Sequence, residues 1–122
     1  MILLMYSFAE NQFRSDGMFV GVIIKETITD ELLLDYLTIE KVEVWKTNDN
    51  EIKYWTMIFF KSETLDLPQR LSEVIIDGWF ADMKQDNIKY IIFKNCVYQY
   101  TIGDISKKNR VLCELRKRGI TD

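Results

Sequence analysis

No histidine occurs anywhere in the 122 residues. Ser-His-Asp and Cys-His nucleophile systems are therefore excluded in their usual form. Zinc sites with histidine ligands and the histidine pH switch go with them. Any acid–base chemistry falls to Asp, Glu, Lys, Tyr or Cys. Cysteine is nearly as scarce: Cys96 and Cys113 stand alone, with no Cys-x-x-Cys. Two thiols do not make a structural zinc site, and the chain lacks the cysteine density of a small secreted scaffold. One disulfide is arithmetically open, and two reduced, largely buried thiols are the plainer reading. Pro68 is the single proline, and the five glycines are scattered. No linker, repeat or low-complexity tract divides the chain, so one domain over residues 1–122 is expected. No run approaches the roughly 18 apolar residues of a membrane span. The apolar opening from Met1 to Tyr6 lacks the basic region and cleavage site of a signal peptide. A cytoplasmic location without a membrane partner is the expectation.

What is present belongs to an ordinary globular domain: 48% apolar and 29% charged residues in 14.6 kDa. A domain of this size buries roughly two-thirds of the surface its unfolded chain exposes, so a core needs no staples. The formal charge of −3 is unevenly placed. Residues 1–104 carry 10 basic and 17 acidic side chains, whereas residues 105–122 carry six basic against Glu114 and Asp122.

Residues 1–8 read as a strand and Glu10 to Gly17 as a polar turn. Met18 to Glu26 is β-branched and apolar, a strand. Thr29 caps a short helix whose stripe is Leu33, Tyr36 and Leu37. Val42 to Trp45 and Ile52 to Phe60 form a hairpin around Thr47-Asn48-Asp49-Asn50. In its second strand Tyr54, Ile58 and Phe60 face one way and Trp55, Met57 and Phe59 the other. Both faces are apolar, so the strand is either central and covered on both sides, or meets a partner on one. Asp66 and Pro68 open a second helix with Leu71, Val74 and Ile75 inward, stopped near Gly78. Trp79 to Met83, Ile88 to Phe93 and Cys96 to Ile102 then make a meander. Asp104 or Ser106 caps a last helix to Arg118, with Val111, Leu112 and Leu115 inward and Gly119 ending it. The order predicts an α+β fold: an antiparallel sheet with helices on one face, built on a ferredoxin-like β-α-β-β-α-β core. A β-hairpin and a C-terminal helix extend that core.

Few residues suggest chemistry. Carboxylate pairs (Asp30/Glu31, Glu40/Glu43, Asp49/Glu51, Asp82/Asp86) lack the spacing of a calcium loop or metal motif. There is no P-loop, G-x-G-x-x-G or G-x-S-x-G. No catalytic residue, metal site or cofactor is expected. Trp45, Trp55 and Trp79 are candidate walls of a ligand pocket, with Asp82 as its polar anchor. The plainer alternative packs Trp79, Ala81 and Met83 on the helices and leaves Asp82 in water. Trp55, Met57 and Phe59 are candidates for a self-association interface. Aromatics interleaved with Lys53, Lys61, Lys89 and Lys94 suggest a single-stranded nucleic-acid platform, but the sheet region is net acidic, which opposes phosphate binding. In the last helix Arg116, Lys117 and Arg118 offset the helix dipole, by about 0.3–1 kcal/mol each.

The segments Gly78-Trp79-Phe80-Ala81-Asp82, Tyr90-Ile91-Ile92-Phe93-Lys94-Asn95, Val97-Tyr98-Gln99-Tyr100 and Arg118-Gly119-Ile120 resemble a family of small uncharacterised bacterial α+β proteins. There a GW(Y/F)AD and (Y)IIF strand meander precedes a C-terminal helix ending in GI. Phe80 stands where that family usually has Tyr. The likeness covers roughly residues 54–122, implies an α+β fold and supplies no catalytic residues. The resulting expectation is a non-enzymatic binding module, homodimeric or bound to another protein. A small-ligand or weakly catalytic domain is the alternative, and a single-stranded nucleic-acid binder is third.

Overall fold

The run Phe19–Ile24 has no polar side chain on either face, and all six residues are buried. Such a strand belongs in the middle of a sheet. A computed structural model, describing residues 17–47 and 53–118, places it there. The expected strand over 1–8, most of the Glu10–Gly17 turn, the centre of the Thr47–Asn50 turn and the Gly119 cap lie outside the described residues.

Six strands form one antiparallel sheet in the order β2-β3-β1-β4-β5-β6. They are β1 (Phe19–Ile24), β2 (Thr38–Lys46), β3 (Tyr54–Ser62), β4 (Ala81–Gln85), β5 (Ile88–Phe93) and β6 (Cys96–Thr101). The helices are α1 (Leu67–Val74) and α2 (Ile105–Lys117). The short helix expected here is a 3-10 helix, Glu31–Tyr36, and its cap is Asp30 and not Thr29: the Asp30 carboxylate accepts from the Leu32 amide at 3.0 Å, while the Thr29 hydroxyl donates to the Val74 carbonyl. Only six residues separate its cap from Leu37, too few for the i→i+4 ladder to outweigh its nucleation cost.

The alternation read for β3 holds: Ile58 and Phe60 lie on one face, Trp55, Met57 and Phe59 on the other. On one face Phe19, Ile23, Ile58, Phe60, Ala81, Met83 and Ile92 pack against Leu33 of the 3-10 helix and Leu67, Leu71 and Ile75 around α1. Each such side chain contributes roughly 1.5–3 kcal/mol when fully buried. Gly21 sits on this face because a Cβ there would lie 2.7 Å from the Met83 Cβ. Pro68 occupies the first turn of α1, and the last helix is capped by Asp104, which accepts from the Lys107 amide at 3.0 Å.

The helices do not share one face, which corrects the expected architecture. Val111 and Leu115 of α2 pack on Phe80, Ile91, Phe93 and Tyr100, on the opposite side of the sheet from α1. The reason lies in β5 and β6, whose other faces are equally apolar. Gly103, at φ +102°, turns the chain onto that side directly after β6. The β4–β5 and β5–β6 hairpins close with two-residue loops, Asp86-Asn87 and Lys94-Asn95. Asp86 and Asn95 take the positive φ these turns require, at 52° and 58°.

Candidate functional site

The three tryptophans come together on the face that carries α2. Trp45 and Trp55 are register partners across β2 and β3. Trp79, which precedes β4 instead of belonging to it, meets Trp55 edge-on with ring centroids 5.6 Å apart and planes at 90°. Edge-to-face pairs of this kind add about 0.5–1.5 kcal/mol beyond area burial. Around them Val22, Ile24, Met57 and Phe59 complete a buried cluster. The Trp45 indole N–H donates to Glu43 at 3.3 Å. The Trp55 indole N–H is buried and has no acceptor.

Asp82 shares this face, opposite Val22 of β1. It does not reach water. Asp82 and Lys89 form an ion pair in which both side chains are wholly buried. Lys89 lies diagonally from Asp82 in the β4–β5 register and directly opposite Tyr100. Their charge alone assigns both side chains to solvent, and no local pattern marks them as a buried pair. The only available signal was that Asp82 and Lys89 lie on the same face as Ile91, Phe93 and Tyr100.

Trp55, Met57 and Phe59, the candidate interface, are 6%, 0% and 2% exposed. Of the two readings offered for β3, it takes the central one: β2 and β1 flank it, and both its faces are buried. Leu32, Leu65 and Ile105 are exposed singly, and a row of exposed apolar side chains lies on and beside the outer strand. Ile39, Val42 and Val44 of β2 and Tyr54 of β3 are 46%, 52%, 64% and 54% exposed. The register puts all four on the face that carries α1, beyond the reach of that helix. A bulge at Glu40 brings Ile39 into line, since Ile39 opposes Phe60 while Lys41 opposes Phe59.

Several charged groups elsewhere are engaged in structure. Lys61 pairs with Glu40 at 3.4 Å, and Lys41 pairs with Glu43 at 3.3 Å while lying 4.6 Å above the Phe59 ring. Glu26 accepts from both the backbone amide and the hydroxyl of Thr56, each at 2.6 Å. Burial opposes its ionisation, but these bonds prevail and hold its carboxyl below the usual range. Arg118 stacks over Phe93 at 4.6 Å, and its bond to Tyr98 raises its pKa further. Cys96 is half-buried and Cys113 is exposed, both as free thiols, so the expectation of two buried thiols fails for Cys113. Among the described residues no three acidic or cysteine side chains gather as a metal set. No helix there is long and apolar enough to cross a membrane.

An open cleft of about 380 Å³ lies between Asp35, Tyr36, Thr38, Ser62, Glu63 and Thr64. A second, of about 190 Å³, lies between β6 and the start of α2. In the first, the Ser62 hydroxyl donates to the Tyr36 carbonyl at 2.6 Å. No family model, curated protein or solved structure matches this chain. Function must therefore be argued from surface and chemistry.

Proposed function

We propose that this protein is a non-enzymatic binding module that works by contact with another macromolecule, its own second copy included. The observation that carries this reading is the row Ile39, Val42, Val44 and Tyr54. It leaves four apolar side chains, each about half exposed, beside a strand edge that no described residue pairs. Contiguous exposed apolar surface beside open backbone donors and acceptors favours strand addition. Light scattering coupled to size exclusion tests it. Species heavier than 14.6 kDa, lost in Val42→Asp or Val44→Asp, support it. A strict monomer at millimolar concentration removes its self-association part.

Two finer readings accompany it. The order β2-β3-β1-β4 with antiparallel neighbours supports a ferredoxin-like split β-α-β core, with the 3-10 segment and α1 as the crossovers on one face. Kinship with the small bacterial family rests on its motif residues: three segments fall in and beside β4, β5 and β6, and Arg118 follows α2.

A second functional reading is favoured by one atom. The unpartnered Trp55 indole N–H, amid Trp45 and Trp79, would be satisfied by a small ligand carrying a carbonyl or carboxylate oxygen. In that reading Asp82 contributes through Lys89, since its carboxylate already faces that cation. Tryptophan fluorescence against a panel of carboxylates and amides tests it: no change with any of them removes the reading. The nucleic-acid reading loses support from Lys89, which is buried against Asp82 and unavailable to phosphate.

A further inference from the structure

We propose that two copies of this chain join edge to edge through β2, antiparallel, with Val42 on the two-fold axis, making one continuous twelve-stranded sheet. The proposal rests on the binding-module reading above and names its partner and register.

Among the described residues β2 is the outermost strand, and most of its nine residues are exposed. Its second edge therefore offers a row of backbone donors and acceptors to a further strand. A two-fold axis perpendicular to the sheet keeps each side chain on its own face. Residues directly opposite in antiparallel strands also share a face. Only registers centred on a residue meet both conditions, and four have their centre inside the regular Lys41–Lys46 part of β2. Centring on Trp45 sets Lys46 opposite Val44 and Glu43 opposite Thr47 of the second copy, so no charges pair within β2. Centring on Glu43 sets the two Glu43 carboxylates opposite each other, which is destabilising. Centring on Val44 sets Glu43 opposite the Trp45 indole of the second copy and leaves Lys41 without an acidic partner. Centring on Val42 sets Lys41 opposite Glu43 of the second copy, and Glu43 opposite Lys41 of the second copy. The strand is self-complementary in charge in that register alone.

The other face agrees. Val42 then meets Val42 of the second copy, and Ile39, Val44 and Tyr54 extend apolar surface along the seam on both sides. Lys41 and the Glu40 bulge are features that edge strands commonly use against unwanted pairing. Here the bulge precedes Lys41 and leaves Lys41–Lys46 regular, and each Lys41 gains a second carboxylate. The contact is isologous, so it closes at two copies. A seam of one strand edge and a narrow apolar row belongs to the small, transient class, so association should depend on concentration.

Sedimentation equilibrium of the full chain from micromolar to millimolar concentration gives the first readout. A monomer throughout overturns both this proposal and the self-association reading on which it rests. Where a dimer forms, Lys41→Glu and Glu43→Lys each create two like-charge oppositions and should weaken it roughly tenfold. The double exchange should restore it. A dimer indifferent to these changes overturns the β2 seam while leaving the binding-module reading intact.

A second measurement does not depend on those variants folding well. In a Cys96→Ser/Cys113→Ser background, Val42→Cys places two thiols opposite each other across the axis, within disulfide reach. Val44→Cys separates them by roughly 13 Å along the strands. Mild oxidation should give a covalent dimer with Val42→Cys and not with Val44→Cys. Equal yields from the two, or none from either, overturn the register.

Discussion

Replacing Lys89 with methionine tests the least expected feature of this protein. The aliphatic stem keeps nearly its volume on the face it shares with Ile91 and Tyr100. What is lost is the cation facing Asp82 at a site where both side chains are 0% exposed. Removing one partner of a buried pair typically costs about 3–5 kcal/mol, because the remaining charge stays desolvated. Domains of this size have about 5–15 kcal/mol in hand, so Lys89→Met should lose at least about a fifth of its stability. Asp82→Leu should cost a comparable amount, leaving the ammonium in an apolar cluster. The double variant Asp82→Leu/Lys89→Met removes both charges together. It should fall within about 1 kcal/mol of the parent or exceed it, since apolar replacement of a buried pair is often neutral or stabilising. Urea unfolding followed by tryptophan fluorescence reads all four proteins, with Trp55 and Trp79 on the same sheet face as reporters. The midpoint should move while the slope stays constant. A double variant as unstable as the sum of the singles would refute the coupling. So would singles that each cost under about 1 kcal/mol, as at a solvated pair.

Three further outcomes follow from particular contacts. Gly21→Ala forces a methyl group to 2.7 Å from the Met83 Cβ between two paired strands, and should cost about 1–3 kcal/mol or more in urea unfolding. Thermal melting against pH should show Glu26 at work: its folded pKa is depressed below 4.5. Its contribution is therefore complete above the unfolded value and lost as pH falls through the folded one. Glu26→Gln should flatten the acid limb of the melting curve and leave the neutral region with little slope. Asp104→Ala removes the acceptor for the Lys107 amide and should cost about 1 kcal/mol, read as a lower urea midpoint.

Much of the chain could be read locally. The alternation of β3, the two hairpin loops at Asp86 and Asn95, Pro68 at the start of α1 and the Asp104 cap all depend on neighbours within a few residues. Backbone dihedrals, side-chain period and cap hydrogen bonds are short-range constraints, so the residues alone determine them. The 3-10 form of Glu31–Tyr36 escaped this logic because Leu33, Tyr36 and Leu37 satisfy an α period equally well. Its short connection between β1 and β2 decided the tighter winding.

Tertiary structure decided the rest. Alternation sorts side chains onto two faces but does not say which helix covers which face. The sequence therefore left α2 free to lie beside α1 or across the sheet from it, and the apolar set Phe80, Ile91, Phe93 and Tyr100 drew it across. Burial of Asp82 and Lys89 is decided the same way. Each is a charged residue in an alternating strand, and only the sheet's closure around the pair removes both from water. The convergence of Trp45, Trp55 and Trp79 likewise requires β2, β3 and the approach to β4 to meet across an intervening strand. Local chemistry determines the elements of this protein, because their forces act over a turn or a pair. Which charges are buried and which strand edge stays open are long-range outcomes, set by how the sheet closes.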